Sequence, residues 1–113
     1  MATITKQFLS GSTNGRPIKI AANATPGTTL HTADATAKDE VYLYLHNTSG
    51  SDVNVTVEFG GVTNPDDRMT YVVPANDSIL AVSGVPLSNS LVVKAFAGTA
   101  NVINASGYVN RIA

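Results

Sequence analysis

The chain has no cysteine and no tryptophan. Without thiols, disulfides, thiolate chemistry and cysteine-based zinc sites are excluded, and the redox compartment stays open. Charge is also scarce: Asp, Glu, Lys and Arg together make up 13% of the residues, about half of the roughly 25% usual in a soluble domain. Seven basic residues face eight acidic ones, a net charge of −1. That balance excludes an electrostatic nucleic-acid binder, which needs clustered positive charge to displace counterions. Aromatics stand at 6%, which speaks against a sugar-binding module built on stacking platforms. No stretch approaches the ~20 apolar residues of a membrane-spanning helix. The opening "MATITKQFLSGSTNGR" lacks the apolar core of about 7–15 residues that a secretory signal requires. The expectation is a soluble protein made in the cytoplasm, with neither nucleic acid nor membrane as a partner.

What is present is β chemistry. Val and Thr are the commonest residues after Ala, and both suit a pleated surface better than a helix. Apolar residues reach 43% of 113, enough for a single core. Alternation is clearest at residues 41–47, where Val41, Leu43 and Leu45 face one way and Tyr42, Tyr44 and His46 the other. It recurs at 53–59, with Val53, Val55, Val57 and Phe59 opposite Asn54, Thr56 and Glu58. Period two marks half-buried strands. The loop "TSGSD" between them has hairpin length, and pairing about Gly50 sets Leu43 against Val57 and His46 against Asn54. A hairpin in that register is expected.

Further strands are expected at 17–22, 28–32, 68–73, 78–83, 91–97 and 101–112, bounded by turn sequences such as "ATPGTT" and "TNPDD". "AGTAN" at 97–101 reads as a second tight hairpin, and Gly107 as a bulge or close backbone approach. "TADATAKDE" at 32–40 reads as a loop with one helical turn at most. Eight short strands without a helical period predict an all-β fold, an antiparallel two-sheet β-sandwich of jelly-roll-like type. A small closed β-barrel is the alternative. Residues 1–16 read as an N-terminal arm and 17–113 as one β-sandwich domain.

Candidate chemistry is thin. His31 and His46 fall on different strands with no convergent carboxylates at metal-ligand spacing. Asp66 and Asp67 flank a Pro turn without the graded acidic run of a calcium loop. Gly60-Gly61 does not open a helix and is no phosphate loop. Serine, histidine and aspartate occur in no nucleophile-elbow context, and the five Asn-x-Ser/Thr sequons suit chance in a chain rich in these residues. No catalytic, metal or cofactor residues are assigned. Two features point instead to contacts. Ile4, Phe8 and Leu9 are apolar residues in an otherwise polar arm, which reads either as a frayed terminus or as a segment ordered against a neighbouring subunit with Phe8 and Leu9 as anchors and Ile4 as a further contact. Tyr42 and Tyr44 place two rings on the outward face of the best strand, as cross-strand packing or a subunit contact.

Several stretches carry a family resemblance: "KQFLSGSTNGRPIKIAA" at 6–22, "TPGTTLHTA" at 25–33, "DEVYLYLHNTSGSDVNVTVEFGG" at 39–61, "LVVKAFA" at 91–97 and "SGYVNRIA" at 106–113. Together they resemble the small virion structural proteins of tailed bacteriophages, chiefly the head decoration (cement) type. The resemblance implies a non-enzymatic protein of the virion, made in the bacterial host cytoplasm, that binds the outer head surface and stabilises it. It implies the major capsid protein as partner and a homo-oligomer, a trimer at threefold positions being one form. In that setting Arg16 and Arg111 are candidate contacts to an acidic capsid surface. A tail or fibre component is the alternative. No catalytic or cofactor residue is implied.

Overall fold

The computed structural model describes residues 2–113. It contains nine strands: β1 (Ile4–Phe8), β2 (Ile18–Lys19), β3 (Thr28–Thr32), β4 (Lys38–Asn47), β5 (Val53–Phe59), β6 (Arg68–Val73), β7 (Ser78–Leu87), β8 (Val92–Ala97) and β9 (Ile103–Ile112). They form two antiparallel sheets. The first runs β1-β9-β4-β7, with the short β2 also on β9; the second runs β3-β8-β5-β6. Both sheets are open, so the fold is a sandwich and not a barrel. Ladders nest from the outside in: β1 with β9, β3 with β8, β4 with β7, and β5 with β6 at the centre. Nested pairing rolled into two layers is the jelly-roll arrangement.

The alternating residues fill the core as the period-two pattern requires. Val41, Leu43 and Leu45 of β4 and Val53, Val55 and Val57 of β5 are all buried, joined by Leu30, Val93, Ile103 and Val109. The expected pairing of these strands is not observed. β4 lies between β7 and β9 in one sheet, while β5 lies between β6 and β8 in the other. The two apolar rows therefore meet face to face across the sandwich. The loop is an arch held by Asn47, whose side-chain amide donates to the carbonyls of Ser51 (2.8 Å) and Val73 (3.0 Å). Its Oδ1 accepts from the Ser49 N–H at 2.9 Å. Likewise 97–101 is no hairpin, because β8 and β9 belong to different sheets. Residues 33–37 form an irregular loop without a helical turn.

The N-terminal segment is placed on the body of the same chain. β1 pairs along its whole length with β9, from Ile4 against Ile112 to Phe8 against Tyr108. Leu9 is 1% exposed and belongs to the core. Gly107 has φ 154°, and a side chain there would run into the Tyr42 carbonyl oxygen. The close approach expected at this glycine is what lets β9 lie against β4.

Candidate functional site

The outer face of the five-stranded sheet collects most of the residues singled out from the sequence. In register, Phe8 of β1 lies beside Tyr108 of β9, and Tyr108 beside Tyr42 of β4. The next row places Tyr44 between Ser106 and Leu80. The rings of Tyr42 and Tyr108 stack at 4.8 Å and 14°, and the Lys6 ammonium lies 4.7 Å from the Tyr108 ring centre. Gly84, at φ 74°, makes room on the other flank: a Cβ there would lie 2.9 Å from the Tyr42 hydroxyl. Because Tyr42 and Tyr108 turn a face to each other, they form a fixed ridge across β4 and β9. They do not offer the flat open platform on which a sugar ring stacks. Around the ridge, Ile4 (65% exposed), Phe8 (61%), Leu80 (48%) and Tyr44 (36%) stand open to solvent. His46 closes the row at the far end, bridging Ser78 (2.7 Å) and Ser106 (2.6 Å) rather than Asn54.

A second constellation lies inside the sandwich, where β3, β4 and β9 meet. Asp39 is fully buried. Its Oδ1 accepts from Arg111 Nε at 2.8 Å, and its Oδ2 from Arg111 Nη2 at 3.0 Å, a bidentate pair. The same Oδ2 faces His31 Nε2 at 2.8 Å and accepts the Asp34 N–H at 3.2 Å. His31 Nδ1 accepts the Ser10 N–H at 2.9 Å, so the ring proton sits on Nε2 and points at the carboxylate. Both ring nitrogens are engaged and the ring is buried, which leaves His31 nothing to offer a substrate. Burial pushes the Asp39 carboxyl up, but the bonds from Arg111 and His31 outweigh it and hold it below the ordinary aspartate value. Asp34 is held low by the backbone N–H groups of Ala37 and Thr36. The cluster ties the loop after β1 and the end of β9 to the body.

Two sequence-based assignments change accordingly. Leu9 is a core residue, not a surface anchor, because a fully enclosed leucine cannot also reach a neighbour. Arg111 is spent internally, on Asp39 and, at 3.8 Å, on Asp34; a guanidinium so held is not a free contact for an acidic partner. Arg16 lies exposed in the loop before β2, next in the chain to Gly15, which packs on the Phe8 ring. Ile4, Phe8, Tyr42 and Tyr44 do come together on one face. No protein-family model matches the sequence, and no curated protein or solved structure matches it significantly. Tyr108, Lys6 and Leu80 complete the face and were missed from the sequence. Tyr108 could have been found by carrying the outward alternation of β9 back from Asn110. Among the described residues no group of three or more His, Asp or Glu side chains is placed to hold a metal ion.

Proposed function

We propose that this chain is a non-enzymatic virion structural protein of the tailed-phage head-decoration kind. In this reading it is made in the host cytoplasm and seats the outer face of its five-stranded sheet on the major capsid protein. The observation that carries the reading is the exposed set Ile4, Phe8, Tyr44 and Leu80 gathered on one face of the five-stranded sheet. Apolar and aromatic side chains on a preformed surface lose little conformational entropy on docking, and Tyr is enriched where proteins meet. Low overall charge lowers the desolvation cost of repeated contacts. Copies arrayed on a symmetric shell would add avidity to a modest single contact. Two-sheet jelly rolls recur among viral capsid proteins and lectins, an analogy of fold that supports the reading without carrying it.

The test is imaging and binding on virions. Particles produced without this protein should lack a regular stud on the head, should lose heads faster on heating, and should recover on adding purified protein. The double variant Phe8→Ser/Leu80→Ser should remain folded and fail to restore the studs. Density on the tail or fibres would replace the head reading with the tail one. Absence from the particle, or hydrolytic turnover by the pure protein, would end both.

A further inference from the structure

Two open sheets leave four edges, one of them shared by β1 and the two-residue β2, and three of the four are guarded. β1 carries Lys6 at its centre. Along β3 runs the N-terminal loop, with the Gly11 N–H on the Leu30 carbonyl (2.9 Å) and the Thr32 N–H on Ser10 Oγ (2.7 Å). β7 shifts register twice against β4, contains Pro86, and has its Ala81 carbonyl capped by the Tyr71 hydroxyl at 2.7 Å. Charge, bulges, proline and covering loops are the usual ways of blunting an edge. β6 has a single charge, Arg68 at its first position, whose guanidinium lies 5.3 Å from the Phe96 ring. The rest of the strand is Met-Thr-Tyr-Val-Val, paired to β5 without a shift.

The direction of its free backbone groups follows from one bond. The Phe59 N–H donates to the Asp67 carbonyl at 2.8 Å, which makes 59 and 67 a hydrogen-bonded pair. Such pairs alternate along an antiparallel ladder. Met69, Tyr71 and Val73 therefore turn their N–H and C=O groups toward β5, while Thr70 and Val72 turn both groups to the open edge and Arg68 its C=O alone, its N–H being held by the Pro65 carbonyl at 3.1 Å. The same three residues carry side chains on the outer face of the sheet, where Val72 is 59% exposed.

We propose that a second copy of this chain adds along β6, antiparallel and two-fold about Thr70, so that four strands from each copy form one continuous sheet. Only this centre uses all three outward-facing residues: Thr70 meets Thr70 of the second copy, and Arg68 meets Val72 twice. The Thr70 pair exchanges two N–H···O bonds, and each Arg68–Val72 pair makes one, from the Val72 N–H to the Arg68 carbonyl. The Arg68 guanidinium stays over its own Phe96, so only the base of its stem lies beside the exposed Val72 of the second copy. The two arginines stay apart, since four residues of strand span about 13 Å. The interface is isologous, as a two-fold contact must be. This inference does not depend on the virion reading; it names a self-contact that the fold itself supplies.

The absence of cysteine makes the test clean. Thr70→Cys introduces the single thiol, and partners in a hydrogen-bonded pair have Cα atoms about 5.5 Å apart, within disulfide reach. Mild oxidation should convert this variant to a covalent dimer far faster than Ser12→Cys, an off-edge control. Val72→Cys alone should behave like the control, while a mixture of Arg68→Cys and Val72→Cys copies should cross-link to each other. In sedimentation, the wild-type chain should show a concentration-dependent dimer. Thr70→Pro removes an N–H that no ladder bond uses and should leave only monomer, with an unchanged circular dichroism spectrum. The proposal is overturned if Thr70→Cys cross-links no faster than Ser12→Cys, if Val72→Cys matches it, or if the dimer survives Thr70→Pro.

Discussion

Asp39 and Glu58 are both wholly buried carboxylates, and they are satisfied in opposite ways. Asp39 sits among charge: Arg111 holds it bidentately, and His31 and one backbone N–H complete its shell. Glu58 takes only neutral donors, the Thr25 hydroxyl at 2.6 Å and the Gly27 N–H at 2.7 Å. Its ladder neighbours are Lys94 and Arg68, yet among the described residues it makes no ion pair. Arg68 Nε is left buried without a partner while Glu58 turns toward the loop over its strand. The difference separates two uses of a buried acid. One locks β3, β4 and β9 together through charge; the other staples a turn to the sheet through hydrogen bonds.

Breaking the charged cluster should cost most. Asp39→Ala leaves Arg111 and His31 facing an empty acceptor, and removing one partner of a buried pair costs about 3–5 kcal/mol. Because the Arg111 side chain is 28% exposed, water can reach it, and the loss should fall at the lower end of that range in urea unfolding. Asp39→Asn should recover little, since one amide oxygen cannot accept all that the carboxylate accepts. Glu58→Ala should cost less, about 1–3 kcal/mol for buried donors left unmet. Here Glu58→Gln should restore most of the loss, because the amide oxygen can serve Gly27 and the Thr25 hydroxyl can rotate to accept. Equal damage from the two amide variants would erase the distinction between the sites.

Acid should loosen the charged cluster. The Asp39 carboxyl is held lower in the folded chain than in the unfolded one. Its contribution is therefore complete above the unfolded aspartate value of about 3.9. It is lost as pH falls through the lower folded value, where the unfolded chain has already bound the proton. Stability measured from pH 6 down to the acid limb should fall less steeply for Asp39→Asn than for the wild type. The smallest effect is expected on the surface. Lys6→Ala removes the ammonium over Tyr108, and an exposed cation–π contact is worth about 0.5–1 kcal/mol; thermal melting against the buried-acid variants would place it last.

Much of the fold was legible in the alternation of apolar residues, because period two fixes which side chains are buried. It does not fix what they are buried against. Leu43 and Val57 bury equally well as neighbours in one sheet or as opposites across two, so residues 41–47 and 53–59 read as a hairpin when they are facing layers. The feature that decides between these is Asn47, a buried amide at the end of a strand, and its importance shows only once its carbonyl partners are in place. Leu9 misled for a related reason: polar neighbours in sequence say nothing about a pocket supplied by distant strands. The ridge was half visible, since Tyr42 and Tyr44 alternate outward, but Phe8 and Tyr108 join it through a pairing that spans nearly the whole chain. Asp39, His31 and Arg111 carry no mutual spacing and could not be seen as a cluster.

The nesting of the ladders also bears on how the chain reaches its final form. Among the described residues, β5 and β6 are the one pair of consecutive strands that bond to each other; every other ladder joins segments far apart along the backbone. Closing such long loops before any contact rewards them is slow, in the millisecond-to-second range typical of topologies rich in distant pairings. β9 in particular bonds to β1, β2 and β4. On the ribosome, one face of the sandwich must wait for that strand to emerge, and until then the nascent chain exposes the apolar side of β4 to whatever binds it first.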